Sequence, residues 1–283
     1  MINRLIRNIR YFKDMQRITM ALARGGATAQ LRVIKEECPI SWEFSGFSQN
    51  GEDGIIDFLT QKIKHPNRYL IEIGSSYGTE NNTTWLAVAK KFNGLMIEGS
   101  AKASARSREL FSNINLGVEC INMFITRKNV ESIKKLAIYT DPDVFSLDID
   151  GNDYYVAHSI MELQFRPKIL VVEYNSAYGP IQSKTIKYQD NFSILNASES
   201  QLYYGVSITG WRNLFEKYGY KFVTVNTSGV NAFFVNQEDF DKAFIDKLNA
   251  LQFQENFYQM KKFKFSWEKQ FEMIKHMDFM EIK

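Results

Sequence analysis

The sequence predicts a doubly wound α/β domain, a mostly parallel sheet covered by helices on both faces and closed by an antiparallel hairpin. Three observations predict it. Short apolar runs alternate with helical stretches from about residue 50 onward, the pattern of a parallel sheet with crossover helices. The first run, Tyr69-Leu70-Ile71-Glu72-Ile73, ends on Gly74 and is apolar enough for burial on both faces. The last two runs, Lys221 to Val225 and Ala232 to Val235, stand only six residues apart. So few residues cannot carry a parallel crossover, so the two runs form a hairpin.

The elements follow in order. Residues 1–35 read as helical, with Leu5, Ile9, Phe12 and Met15 or Met20 near helical spacing. Gly25-Gly26 is expected to break that helix, with a second short helix running to Lys35. Residues 1–37 carry eight basic and three acidic side chains, Arg4, Arg7 and Arg10 among the basic ones. A membrane-surface helix is one reading; a solvated helix packed on the main domain or on a second subunit is the commoner one. Helix Ile55–Ile63 precedes strand Tyr69–Ile73, and helix Thr83–Phe92 precedes strand Gly94–Glu98. Helix Ala101–Phe111, strand Val118–Asn122 and helix Asn129–Ala137 continue the alternation. Strand Val144–Asp150, helix Tyr154–Leu163, strand Lys168–Tyr174 and helix Ser207–Tyr218 complete it before the hairpin. Gly179 to Tyr204 reads as a long polar and aromatic loop, a length that usually marks function or disorder. The chain thus divides into an N-terminal helical extension (1–45), the α/β domain (46–236) and a helical C-terminal cap (237–283) rich in Phe, Met and Lys.

Composition bounds the function. The 283 residues are 45% hydrophobic and 24% charged, an ordinary globular mixture with a net charge of +3. That charge argues no nucleic-acid partner. No apolar run reaches the ~18 residues of a membrane span, and the N-terminus lacks the h-region of a secretory signal. Cys38 and Cys120 are the two cysteines, far apart and without metal-ligand spacing. A reducing, cytoplasmic setting is the simplest expectation.

The chemistry gathers at the carboxyl ends of the strands, where open α/β sheets bind ligands. Gly74-Ser75-Ser76-Tyr77-Gly78 follows the first strand, and glycine there allows close approach of backbone to ligand. Glu72 precedes that loop, and Glu98 ends the next strand, placed to accept two ribose hydroxyls. The G-x-x-x-G spacing is not the G-x-G-x-x-G of a pyrophosphate-binding turn. Asp148 and Asp150 share a strand face, Asp153 follows, and Glu173 and Asn175 share a face on the neighbouring strand. Asp150, Glu173 and Asn175 are candidate oxygen ligands for Mg²⁺ or another divalent cation. Alternatively these groups bind substrate hydroxyls, with one carboxylate as general base. Capping of helices and backbone donors is the bland alternative. His158 is a second candidate base; His65 and His276 are incidental. Tyr188, Tyr203 and Tyr204 are candidates to stack on a sugar, or else to anchor the long loop.

Five βα units closed by a hairpin is the class I methyltransferase arrangement. The motifs add a resemblance. Phe47-Ser48-Gln49-Asn50-Gly51-Glu52-Asp53-Gly54, Ile71-Glu72-Ile73-Gly74 and Met96-Ile97-Glu98-Gly99 resemble the FkbM-like methyltransferases. Asp148-Ile149-Asp150-Gly151-Asn152-Asp153-Tyr154, Glu173-Tyr174-Asn175 and Asn231-Ala232-Phe233-Phe234-Val235 resemble a bacterial branch of that group. The likeness covers roughly residues 46–236. It implies an S-adenosylmethionine-dependent O-methyltransferase acting on a hydroxyl of a small sugar-type acceptor, a nucleotide sugar or a surface-polysaccharide precursor. It also implies cofactor contacts at Glu72, Gly74 and Glu98, with Ser48 and Gln49 closing over the cofactor. Ser75, Gly78 and Asp148 are further candidate cofactor contacts in and beside the loop. One departure stands out: the group's commoner pattern after the fourth strand is Asp-x-Glu-Gly, and this chain has Asp150 where Glu is usual.

The rivals are another small acceptor such as a phosphorylated or phosphoramidate group, an NAD-dependent sugar-modifying enzyme, and a non-catalytic cofactor-binding scaffold. A nucleic-acid amino methyltransferase is disfavoured because Asn175-Ser176-Ala177-Tyr178 stands where Asn-Pro-Pro-Tyr is expected. The C-terminal aromatic helices are expected to act as a lid or as a contact in a homo-oligomer.

Overall fold

The computed structural model describes residues 2–283. The side chains of residues 1–8 and of Arg10 lie outside that description, and with them the expectations on Leu5, Arg4, Arg7 and Arg10. Helix α1 spans Ile2–Leu31 and α2 spans Glu52–Thr60. The alternation then runs β1 (Tyr69–Ile73), α3 (Thr84–Ala89), β2 (Asn93–Glu98), α4 (Ala101–Ile114), β3 (Val118–Asn122) and α5 (Ser132–Leu136). It continues through β4 (Val144–Leu147), α6 (Asp153–Glu162), β5 (Ile169–Glu173), β6 (Lys184–Ile186), α7 (Ile194–Ala197) and α8 (Ile208–Glu216). The chain ends with β7 (Tyr220–Val225), β8 (Asn231–Asn236), α9 (Lys242–Asp246), α10 (Phe257–Phe263), α11 (Trp267–Glu272) and β9 (Phe279–Glu281).

The main sheet has seven strands in the order β3-β2-β1-β4-β5-β8-β7. The first five are parallel, and β8 runs antiparallel to both β5 and β7. The expected hairpin is therefore present, and the sheet has the class I methyltransferase order. Alternate strand residues feed two separate cores, as a sheet covered on both faces requires. Ile71, Ile97, Leu147 and Val172 pack toward α5, α6 and α8. Leu70, Met96, Val144 and Val171 pack toward α2, α3 and α4, with Ile18 and Ala21 of α1 in the same cluster.

Register builds the functional edge. Ile73 pairs with Ile97 and with Leu147, and Leu147 pairs with Val172. The next residue along each strand is thus Gly74, Glu98, Asp148 and Glu173, in one row. Antiparallel pairing of Glu173 with Asn231 adds the start of β8 to that row.

Several expectations are corrected. Helix α1 runs unbroken through Gly25-Gly26. Gly25 serves packing: an added Cβ would lie 2.5 Å from the Trp85 ring and 3.1 Å from Gly46 Cα. Arg24 donates to the Ser45 and Gly46 carbonyls, and Arg106 pairs with Asp14, so α1 is docked on the domain. The 179–204 stretch is not an open loop. It contains β6, which pairs antiparallel with β9 near the C-terminus. The C-terminal cap is accordingly not all helical, and its end pairs with the 179–204 stretch. Cys38 and Cys120 are both free thiols. No helix among the described residues is long and apolar enough to cross a membrane.

Candidate cofactor cleft and acid cluster

Gly74 follows β1 with φ +89°, a conformation side chains rarely adopt. A Cβ there would meet the Asp148 carbonyl oxygen at 1.7 Å. The glycine is demanded by the close approach of β1 and β4, besides any need of a ligand. A cleft of about 560 Å³ opens beyond it, walled by Glu98, Ile97, Phe124, Ile149 and Phe192. At the end of β2, Glu98 accepts the Ser76 amide at 2.8 Å and the Ser100 amide at 2.6 Å. Its carboxylate is thereby fixed at the cleft wall with lone pairs to spare for a ligand.

A second cleft of about 260 Å³ adjoins the first and shares Gln49, Gly74, Glu80 and Asp148 with it. Glu72 stands on its wall, 3% exposed. It accepts the Asn82 amide at 2.9 Å, the Thr83 amide at 3.3 Å and the Thr83 hydroxyl at 2.5 Å. Burial nonetheless pushes its pKa up to about 7, against those donors. Gln49 donates to Glu80 at 2.9 Å, joining the 45–51 loop to the 74–82 loop at the boundary of the two clefts.

Two expected cofactor contacts sit elsewhere. The Ser75 hydroxyl is buried behind the loop without a hydrogen-bond partner and lines neither cleft. Gly78 turns the chain at φ +71°, where an added Cβ would lie 2.5 Å from Ser107 Oγ on α4. It is a packing glycine.

The acids converge as expected, with one substitution in the set. Asp148, Asp150 and Glu173 each bring an oxygen within 4.8 Å of the other two. Burial pushes the Asp148 carboxyl well above the usual range, and the charges of Asp150 and Asp153 push the same way. Burial and then Asp148 raise Glu173 likewise, and burial raises Asp150. Asp150 has φ +55°, an uncommon left-handed conformation for a non-glycine residue. Asp153 holds it there: its two oxygens accept the Ile149 amide at 2.9 Å and the Gly151 amide at 2.8 Å, on either side of Asp150.

Asn175 does not join the cluster. It caps the short 3-10 turn after β5, accepting the Ala177 amide, and donates to the Leu202 and Tyr204 carbonyls at 2.7 and 3.0 Å. Its polar atoms are turned to the backbone and it is fully buried, so it is no metal ligand here. His158 is also corrected. It lies exposed on α6, its ring 6.0 Å from that of Tyr154, and lines none of the clefts. Of the three tyrosines, Tyr204 lines the third cavity. Tyr203 donates to the Asp278 carbonyl, and Tyr188 donates to Asp190 at 2.8 Å, so both anchor the loop.

Sequence reasoning missed two residues. Asn231 Nδ2 donates to the buried Glu52 at 2.8 Å, while its Oδ1 is buried without a partner on the wall of the second cleft. Gln259 of α10 donates to Tyr204 Oη at 3.1 Å and accepts from Ser176 Oγ at 3.1 Å, and Tyr204 Oη in turn reaches Glu173 at 3.5 Å. The Asn-x-Phe-Phe run at β8 was the available signal for Asn231; none marked Gln259.

No protein-family model matches this sequence, and no curated protein matches it. Solved structures with a similar fold include an O-methyltransferase from Bacillus cereus in complex with SAH, 17% identical, covering 77% of this chain and 89% of that one, TM-score 0.41. An SAH-bound methyltransferase from Podospora anserina is 15% identical, covering 59% and 71%, TM-score 0.41. A fibrillarin pre-rRNA processing protein from Methanococcus jannaschii is 12% identical, covering 65% and 73%, TM-score 0.40.

Proposed function

We propose that this chain is an S-adenosylmethionine-dependent O-methyltransferase acting on a sugar hydroxyl. The observation that carries the reading is the charge of the two adjoining clefts. No Lys, Arg or His lines either of them among the described residues, whereas Glu72, Glu80, Glu98, Asp148, Asp150 and Glu173 all do. Such walls repel the pyrophosphate of a dinucleotide and attract a cation. That favours a sulfonium cofactor over NAD, in line with the hairpin and the G-x-x-x-G loop.

The residues fit the group. Glu98 would hold the ribose hydroxyls in the larger cleft. The orphaned Asn231 Oδ1 is a buried acceptor without a donor on the wall of the second cleft, and with the carboxylates beside it would receive the ammonium of the cofactor's amino-acid end. When bound, the cofactor supplies a methyl carbon already activated by positively charged sulfur, so alignment and exclusion of water are the protein's main contributions.

Asp150 is the general base in this reading. It alone lines both the larger cleft and a third cavity beyond it. Asp148 lines the first two clefts and Glu173 the second, and neither lines the third cavity. Asp150 would accept the proton of the acceptor hydroxyl as that hydroxyl takes up the methyl group. The sugar acceptor rests on the motif likeness to the FkbM-like group.

One observation favours a second reading of the cluster. The three oxygens of Asp148, Asp150 and Glu173 form a hard, all-oxygen donor set, suited to Mg²⁺, which would acidify the acceptor hydroxyl. Incubation with methyl-labelled S-adenosylmethionine and a panel of hexoses and nucleotide sugars, with and without EDTA, tests both. Label in a sugar supports the reading, and loss of transfer with EDTA assigns the cluster to a cation. No transfer to any member contradicts the sugar acceptor.

A further inference from the structure

The third cavity, about 190 Å³, lies between the 200–204 segment and α10 of the C-terminal segment, with Asp150 on its wall. It is smaller than the ~300–1,000 Å³ of pockets for drug-sized ligands, a scale for a single sugar ring. Its walls are of two kinds. Tyr258 and Phe263 offer flat apolar faces, and the Gln201 and Asn256 amides offer planar polar groups beside them. Lys262 also lines it, the one basic side chain to line any of these three cavities among the described residues. Its ammonium has only long contacts, 3.4 Å to the Ser200 carbonyl and 3.4 Å to Gln201 Oε1, with the Phe263 ring at 5.0 Å. It makes no ion pair among the described residues.

We propose that this cavity is the acceptor site and that it takes an anionic sugar, with the negative group at Lys262 and the reacting hydroxyl at Asp150. The proposal rests on the methyltransferase reading and deepens it. Charge explains the polarity of the arrangement. The cofactor clefts are walled by carboxylates, so an anionic group is repelled at the inner end and finds its only cation at the outer one. A sugar entering with its charge at Lys262 therefore presents its uncharged ring to Asp150. The same geometry gives α10 a function in place of a passive cap. Asn256 caps α10, accepting the Tyr258 amide at 2.9 Å and the Gln259 amide at 3.2 Å. The buried Ser176–Gln259–Tyr204 chain then fixes the helix relative to Glu173. Tyr204 and Gln259 are positioning residues in this arrangement.

The negative group has two sources, a phosphate or a sugar carboxylate, and the test separates them. Saturation-transfer NMR on the SAH-saturated full chain would use glucose, galactose and mannose 1-phosphates, methyl glucuronide, and methyl glucoside as the neutral control. Transfer to the ring protons of at least one anionic sugar, with little to methyl glucoside, is the expected result. Lys262→Glu should weaken that sugar at least ~10-fold and Lys262→Arg should retain it, with SAH affinity unchanged in both. A response confined to the 1-phosphates assigns phosphate, and one confined to the glucuronide assigns carboxylate. No response from any anionic sugar, an equal response from methyl glucoside, or undiminished binding in Lys262→Glu overturns the proposal. Failure of SAH itself to bind would overturn the underlying methyltransferase reading instead.

Discussion

Asp148 and Glu173 stand side by side at the ends of β4 and β5, one residue beyond the paired Leu147 and Val172, and each brings an oxygen within 4.8 Å of the other and of Asp150. Three carboxyls at that range cannot all carry charge without a proton or a cation among them. The cluster therefore shares a proton or takes a positive partner, and burial favours the proton in the ligand-free protein.

Asp150→Asn tests the base. Transfer of label to the acceptor should fall ~10²–10⁴-fold, the range of a lost general base, with SAH affinity within a few-fold of wild type. A parallel loss of SAH affinity, read by calorimetry, would show that Asp150 belongs to cofactor binding.

Glu98→Ala tests the opposite end of the site. Removing a charged acceptor of ligand hydroxyls costs about 1.5–3 kcal/mol, so SAH affinity should fall ~10–100-fold. Unchanged affinity would leave the larger cleft without its assigned ribose partner.

The ligand-free protein should be less stable at pH 8 than at pH 5. Burial raises Glu72 to about 7 and Asp53 to about 7. A group whose folded pKa lies above its unfolded value holds more protons when folded, so stability falls as pH rises between the two values. The window is roughly pH 4 to 7, and Glu72 alone contributes at most about 3 kcal/mol across it. Thermal melts across this range check the sign. A Tm that rises steadily from pH 5 to 8 would mean that the hydrogen bonds to these carboxylates outweigh burial.

Asn175→Ala separates structure from chemistry. Loss of its bonds to the Leu202 and Tyr204 carbonyls and the Ala177 amide should cost roughly 2–3 kcal/mol of stability. SAH affinity should hold. A metal-dependent activity lost without any change in stability would restore Asn175 to the ligand set.

What was legible in the sequence was the sheet. Its buried strands are nearly pure apolar runs, and the short spacing before β8 forces a hairpin, so the acids at the carboxyl edge were legible. The single row of Gly74, Glu98, Asp148 and Glu173 comes from the strand register, with β4 ending at Leu147 and not at Asp150. The errors arise where a local rule was carried past the element that obeys it. Strand alternation predicts Asn175 beside Glu173, but β5 ends at Glu173 and the chain enters a 3-10 turn. Gly25-Gly26 predicts a helix break, although a glycine also marks where another backbone comes close, here Gly46. For His158 the signal was present: Val156 and Ile160 mark the buried face of α6, and His158 lies off it. The pairing of β6 with β9 and the attachment of Gln259 to Tyr204 join residues far apart in sequence through three-residue strands and single side chains, which no periodicity announces.

Calorimetric titration of the purified chain with S-adenosylhomocysteine, with NAD⁺ as the control, tests the central claim most directly. A ribose site at Glu98 and ammonium acceptors beside Asn231 lead to micromolar binding of S-adenosylhomocysteine, and the acidic walls of the clefts lead to none of NAD⁺. Binding of NAD⁺, or of neither compound, would contradict the assignment of these clefts to a sulfonium cofactor.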